Sequence, residues 1–169
     1  FGDSEIMGLE IAGEVIAMGK DVQGFAVGDR VMGIVGGGGY AEQARIDYRM
    51  AMPIPENLDY VQAAGIPEAF VTAHEAAFHL GRLDGSERIL IHAAASGVGS
   101  AAVQLAHAAG ARVFATASAG KLVRLREFGA DVTIDYKADD FAKVVERETD
   151  GNGVDVIVGD GSSGDPERA

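Results

Sequence analysis

The sequence predicts an α/β protein: a β-rich segment followed by a partial, doubly wound parallel sheet. Three observations carry that expectation. Residues Arg88–Lys121 read as strand, small-residue turn, helix, glycine stop and strand, which is one βαβ unit. Residues 6–52 offer short apolar stretches between tight turns and no helical spacing. Beyond Lys121, amphipathic helices alternate with short apolar strands, the pattern of a parallel sheet covered on both faces.

Taken in order, Ile6–Met18 alternates small and apolar residues into the turn Gly19-Lys20-Asp21. A second turn, Phe25–Arg30, leads into a strand ending at Ile34, and Gly36–Gly39 is a connector free to take any backbone angle. Tyr40–Ile46 reads as a further strand, and Ala51–Pro55 leads out through two prolines. Helical spacing begins at Asn57–Gln62 and is broken by Gly65 and Pro67; a helix then runs over Ala69–Leu80, with Pro67-Glu68 at its start and Gly81 at its end. Lys121–Phe128 is a helix stopped by Gly129, Val132–Asp135 a strand, Asp139–Glu148 a helix and Val154–Val158 a fourth strand. The chain thus divides near Glu68 into a β-rich domain over 1–68 and an α/β domain over 69–158. Residues 159–169, without apolar content, are expected to form a flexible tail. The strands of the second domain should order 3-2-1-4, two short of a full sheet.

The first βαβ unit carries the chemistry. Arg88–His92 is an apolar strand, and Ala93–Gly99 holds nothing larger than a methyl group apart from Val98 and the Ser96 hydroxyl. A pyrophosphate sits on a helix N-terminus only where backbone N–H groups point at it and no side chain intervenes. The dinucleotide fingerprint appears in degenerate form, Ala94-x-Ser96-x-x-Gly99, with Gly99 left to let helix and strand approach. Ser96 is also able to donate its hydroxyl to a phosphate oxygen. The competing reading is a small-residue turn selected for packing alone.

An NAD site wants an acid about 20 residues past the turn. Thr116–Ala119 holds none; Ser118 and Lys121 stand there instead, with Arg124 one turn on. That favours the 2′-phosphate of NADP, against the alternative that Lys121 and Arg124 are merely solvated helix residues.

Composition bounds the remaining possibilities. The chain has 169 residues, 47% of them hydrophobic, which suffices for a core. A net charge of −12 argues against nucleic acid or an anionic membrane as partner. No cysteine is present, which removes disulfides, thiolate nucleophiles and Cys-ligated zinc and fits a cytoplasmic, reducing compartment. No stretch approaches the ~18 apolar residues of a membrane span. The N-terminus has neither a basic region nor an initiator Met, as expected of an internal fragment. Among the four histidines, His74 and His79 lie five apart, about 140° around an α-helix, which does not suit a metal pair. His92, ending a strand, and His107, within a helix, read as structural.

In this order, GLEIAGEVIAMGKDVQGFAVGDRVMGI, GGGGYAEQA, MPIPENL, AAGIPEAFVTAHEAAF, ILIHAAASGVGSAAVQLA and FGADVTIDYKADDF resemble medium-chain dehydrogenase/reductases. The resemblance is strongest to the zinc-free quinone oxidoreductases, the zeta-crystallin-like branch, and covers Ile6 to Val158. It implies part of a GroES-like domain followed by part of a Rossmann NADP-binding domain. It also implies NADPH-dependent hydride transfer to a quinone or another α,β-unsaturated carbonyl, in a full-length protein that forms a homodimer. Zinc-dependent relatives carry Gly-His-Glu where this chain has Gly8-Leu9-Glu10, and Gly36–Gly39 replaces their four-Cys lobe; no zinc is expected.

By motif match, the cofactor contacts are Ala94, Ala95, Ser96, Gly97, Val98 and Gly99 on the pyrophosphate, and Ser118 and Lys121 on the 2′-phosphate with Tyr136 beside them. Thr72 matches the position near the nicotinamide. The plainer readings are a strand-end aromatic for Tyr136 and a helix hydroxyl bonded to its own backbone for Thr72.

Two departures qualify the match. The connection before Lys121 is about one residue shorter than in close relatives. The Tyr and Asn that line the family's substrate pocket lie upstream of this chain, so it holds no assignable catalytic residue and is expected to be inactive in isolation. The alternatives to a quinone oxidoreductase are an enoyl reductase module of a polyketide or fatty-acid synthase, and a non-catalytic NADPH-binding fragment.

Overall fold

A computed structural model describes residues 4–159, and the chain divides into two compact units, Phe1–Val71 and Thr72–Ala169. The tail expected over 159–169 lies, beyond Gly159, outside the described residues.

In the first unit, β1 (Glu10–Glu14), β2 (Arg30–Ile34) and β3 (Ala51–Pro53) form an antiparallel sheet in that order. The register runs from Glu10↔Ile34 to Glu14↔Arg30 and from Val31↔Pro53 to Gly33↔Ala51. Helix α1 (Tyr60–Ala64) starts with a capping box, in which the Asp59 side chain accepts from the Gln62 amide and the Gln62 side chain from the Asp59 amide. Met32, Ile54 and Ala63 form the core between helix and sheet. Arg30 ties the two together, donating to the Leu58 carbonyl at 2.5 Å and lying 4.8 Å from the centre of the Tyr60 ring.

The strand expected over Tyr40–Ile46 does not form; the segment is irregular. Gly38, Gly39 and Tyr40 donate their amides to the carbonyls of Ile6, Gly8 and Met7, which bends the chain away from an extended path. Residues 40–45 are all exposed, so no apolar face exists to hold them on a sheet. Ile46 instead folds over Gly33, where an added Cβ would meet its Cδ1 at 2.5 Å.

In the second unit, β4 (Arg88–Ile91), β5 (Arg112–Ala117), β6 (Val132–Asp135) and β7 (Val156–Val158) form a parallel sheet in the order β6-β5-β4-β7. This is the 3-2-1-4 order expected from the sequence. Helix α2 (Pro67–His74) leads into the unit; α3 (Gly97–Ala109), α4 (Leu122–Glu127) and α5 (Phe141–Glu148) connect the strands. Leu90, Phe114, Ile134 and Val145 form a core cluster, each no more than 2% exposed. Ala101, Ala102 and Ala106 of α3 are equally buried, and their small side chains let the helix lie close to the sheet. Gly110, at φ 91°, ends α3 with the left-handed stop predicted for it.

The helix expected over Ala69–Leu80 changes character at Glu75, where residues Glu75–Leu80 form a π-helical turn. The Gly81 amide donates to the Ala76 carbonyl five residues back, and Gly81 packs so tightly that an added Cβ would meet Val156 Cγ1 at 2.9 Å. The Ala77 carbonyl oxygen would lie closer still, at 2.7 Å, so only glycine fits at the helix end. The wider turn also changes the angle between His74 and His79; His74 stacks on Phe78, and His79 lies 4.0 Å from Glu75.

The start of β4 is pinned to β7 by one ion pair. Asp155 Oδ2 accepts from the Arg88 amide at 2.8 Å and from its Nε at 3.0 Å, while the Asp155 amide donates to the Arg88 carbonyl at 2.9 Å. These bonds to Arg88 hold the Asp155 carboxyl below the usual carboxylate range. A lowered folded-state pKa stabilises the fold above the unfolded-state value and loses that contribution as pH falls through the folded value. Asp155→Asn should therefore lower stability near neutral pH by about 1 kcal/mol. In thermal unfolding, its deficit against the parent chain should shrink as pH falls below about 4.

Candidate dinucleotide site

The site is built at the C-terminal ends of β4, β5 and β6. At the end of β4 the chain turns sharply: Ala93 adopts φ 47°, a left-handed conformation that costs a residue with a Cβ about 1–2 kcal/mol. The turn is held from below, where the Ala94 amide donates to the Thr116 carbonyl of β5 at 3.0 Å, and closed by the Ser96 amide on the Ala93 carbonyl at 2.9 Å. Ala94 is fully buried; Ser96 and Gly97 are exposed.

Ser96 caps α3, its Oγ accepting from the Gly99 amide at 3.1 Å. A helix leaves its first four N–H groups without intrahelical acceptors. Here Ser96 N–H and Gly99 N–H are taken within the turn, so those of Gly97 and Val98 are left for an outside acceptor. Nothing lies within 4 Å of the place a Gly97 Cβ would occupy, so the space before these amides is open. Gly99 is the opposite case: an added Cβ would stand 2.5 Å from the Ala93 carbonyl oxygen and 2.7 Å from Ala94 Cα. Gly97 leaves room for a ligand, and Gly99 lets the helix sit on the turn. Two free amides, the dipole of a 13-residue helix and a hydroxyl that retains its proton fit a pyrophosphate.

The second group of predicted residues gathers at the ends of β5 and β6. Ser118 follows Ala117 and opens a short 3₁₀ turn, Ala119–Lys121, closed by the Lys121 amide on the Ser118 carbonyl at 2.9 Å. Tyr136 follows Asp135, the register partner of Ala117, and its amide donates to the Ala117 carbonyl at 3.3 Å. Ser118 is half-buried, Lys121 exposed and Tyr136 57% exposed, so Tyr136 presents its ring to solvent. The structure therefore brings Ser118, Lys121 and Tyr136 to one end of the sheet, the end at which Ala94, Ala95, Ser96, Gly97, Val98 and Gly99 also stand.

Thr72 is exposed on α2, and its hydroxyl makes no hydrogen bond among the described residues, so it does not bond its own helix.

His92 and Thr116 are two residues the motif reading did not assign to the site. His92 Nδ1 lies 3.1 Å from Thr116 Oγ1, and its ring meets Phe141 edge-on at 4.9 Å. These contacts brace β4 to β5 directly below the turn. A polar residue at the end of an otherwise apolar strand was the available signal. Among the described residues, no group of three or more His, Asp or Glu is placed to hold a metal ion, and no helix is long and apolar enough to cross a membrane.

Comparison with known proteins gives the family setting of these two units. Residues 4–56 match the alcohol dehydrogenase GroES-like domain and residues 97–163 match the zinc-binding dehydrogenase family. The chain is 44% identical over 154 residues, 90% of its length, to an erythronolide synthase of Saccharopolyspora erythraea, of which it spans 4%. Among solved structures it is similar to the CurK enoyl reductase, with 37% identity and a TM-score of 0.84 over 92% of this chain and 47% of that one. A quinone oxidoreductase of Pseudomonas syringae pv. Tomato is 36% identical, with a TM-score of 0.79 over 89% of this chain and 47% of that one. The chain thus spans about half the length of these solved relatives and a small part of the synthase.

The two glycines of the turn should separate stability from binding. Gly99→Ala drives a methyl group into backbone atoms and should lower stability by about 1–3 kcal/mol in denaturant unfolding. Gly97→Ala adds its methyl to open space and should leave stability within about 0.5 kcal/mol while weakening any dinucleotide binding at this turn.

Proposed function

We propose that this chain, which belongs to the medium-chain dehydrogenase/reductase superfamily of oxidoreductases, is part of an NADPH-dependent enoyl reductase of a polyketide synthase. The observation that carries the cofactor is the open turn with the Gly97 and Val98 amides unclaimed at the head of α3. The choice of acceptor is supported by the likeness to polyketide synthases and a solved enoyl reductase along nine-tenths of the chain. It displaces the quinone acceptor that the sequence motifs first suggest, which keeps support from the similarity to a quinone oxidoreductase.

The dinucleotide, when bound, supplies a hydride to the β-carbon of an α,β-unsaturated acyl group. The chain's own residues hold and orient it. Gly97 and Val98 donate their amides to the pyrophosphate, and Ser96, whose oxygen already accepts from Gly99, donates its proton to a phosphate oxygen. Ser118 and Lys121 take the 2′-phosphate, a charge-assisted contact, with Tyr136 beside them. Thr72, whose hydroxyl is free on an exposed helix face, serves the nicotinamide end. No zinc takes part: Leu9 stands where zinc-dependent relatives have a histidine ligand, so a proton donor or water assists the acceptor instead.

The full-length protein should bind NADPH at least ~10-fold more tightly than NADH in fluorescence titration, and Lys121→Ala should erode that preference while leaving NADH binding nearly unchanged. Its kcat/KM for NADPH oxidation should be at least ~10-fold higher with a 2-enoyl thioester than with a simple quinone. A preference for the quinone favours the oxidoreductase reading instead. Exhaustive chelation should leave the rate unchanged.

A further inference from the structure

We propose that Lys137 is a second cation for the 2′-phosphate and helps set the preference of this site for a phosphorylated dinucleotide. The inference rests on the dinucleotide reading above and adds to it a residue that the motif match does not include. Register places Lys137 at the same end of the sheet as Ser118 and Lys121. Asp135 is paired with Ala117, and the chain leaving β6 is folded back at once: Asp135 Oδ1 accepts from the Lys137 amide at 3.1 Å, and the Asp135 carbonyl accepts from the amides of Ala138 at 3.0 Å and Asp139 at 2.9 Å. This tight turn throws residues 136 and 137 outward together. Lys137 Nζ lies 6.0 Å from the centre of the Tyr136 ring, so both side chains leave on the same side.

The charge of Lys137 is also uncommitted. The chain carries a net charge of −12, and Asp135, Asp139 and Asp140 lie within three residues of Lys137. Yet among the described residues no carboxylate stands within ion-pair distance of it. Asp135 spends Oδ1 on the Lys137 backbone, and Asp140 caps α5 through the Ala142 amide and approaches Lys143 at 4.0 Å. Lys121, across the strand ends, is likewise without an ion pair. Two unpaired ammonium groups and a serine hydroxyl at one edge of an acidic protein suit a dianionic phosphomonoester, and water alone has no need of them.

The test is binding, not turnover: titration of the protein with NADPH and with NADH, for the parent sequence and for Lys137→Ala, Lys137→Gln and Lys137→Arg. Lys137→Ala and Lys137→Gln should each lose about fivefold in NADPH affinity with NADH unchanged, whereas Lys137→Arg keeps the preference. The difference should shrink as salt is raised, since the contact is exposed and screened. An unchanged preference in Lys137→Ala, or an equal loss for both nucleotides, overturns the assignment. If Lys121→Ala alone removes the preference, the dinucleotide reading stands and only the role of Lys137 falls. If the parent sequence binds neither nucleotide, both fall.

Discussion

The approach of Gly99 to the backbone of Ala93 and Ala94 is the constraint on which the candidate dinucleotide site depends. A helix can present its first amides to a ligand only if its first turn is held at the end of a strand, and no side chain larger than hydrogen fits between them here. The left-handed Ala93 is the local cost of that closeness. Three hydrogen bonds offset it: Ala94 to Thr116, Ser96 to Ala93 and Gly99 to the Ser96 hydroxyl. Each joins the turn to itself or to β5, so the amides of Gly97 and Val98 are the groups left over. The candidate binding surface is thus defined by what the turn does not need for its own structure.

The parallel sheet extends that logic. Parallel strands deliver all their C-terminal ends to one edge, where ligands of such sheets bind. The order β6-β5-β4-β7 puts the Ala93–Gly99 turn beside the end of β5 and the Ser118 turn beside the end of β6. The site residues, distant in sequence, meet because register fixes Ile91 opposite Ala115 and Ala117 opposite Asp135. At the opposite edge, Asp155 and Arg88 fix the start of β4 against β7.

Much of this was legible in the residues. Period and punctuation placed the second-unit strands and helices, because buried parallel strands read as short apolar runs and glycines end their helices. The strand order followed from the order that doubly wound dinucleotide-binding sheets adopt. The failures share a cause. Tyr40–Ile46 was expected as a strand, but the chain entering it is held by main-chain bonds from residues 38–40 to residues 6–8 that no local pattern records. The π-helical turn at Glu75–Leu80 ends at Gly81, where an added Cβ would meet Val156, a residue 75 positions away that no local pattern brings near. In the site, the small residues were visible as small, but only the structure separates Gly97, which is open, from Gly99, which is closed. The role proposed for Lys137 was hidden because it rests on an ion pair that the residue does not make.

The most direct test follows backbone amide resonances of the ¹⁵N-labelled chain as NADPH is added. The Gly97 and Val98 signals should move most, with those of Ser118, Lys121 and Tyr136 following, because these are the groups proposed to receive the two phosphate ends of the ligand. Saturable shifts confined to residues outside the Ala93–Gly99 turn, or no shift there at ligand concentrations that saturate binding, would contradict the account.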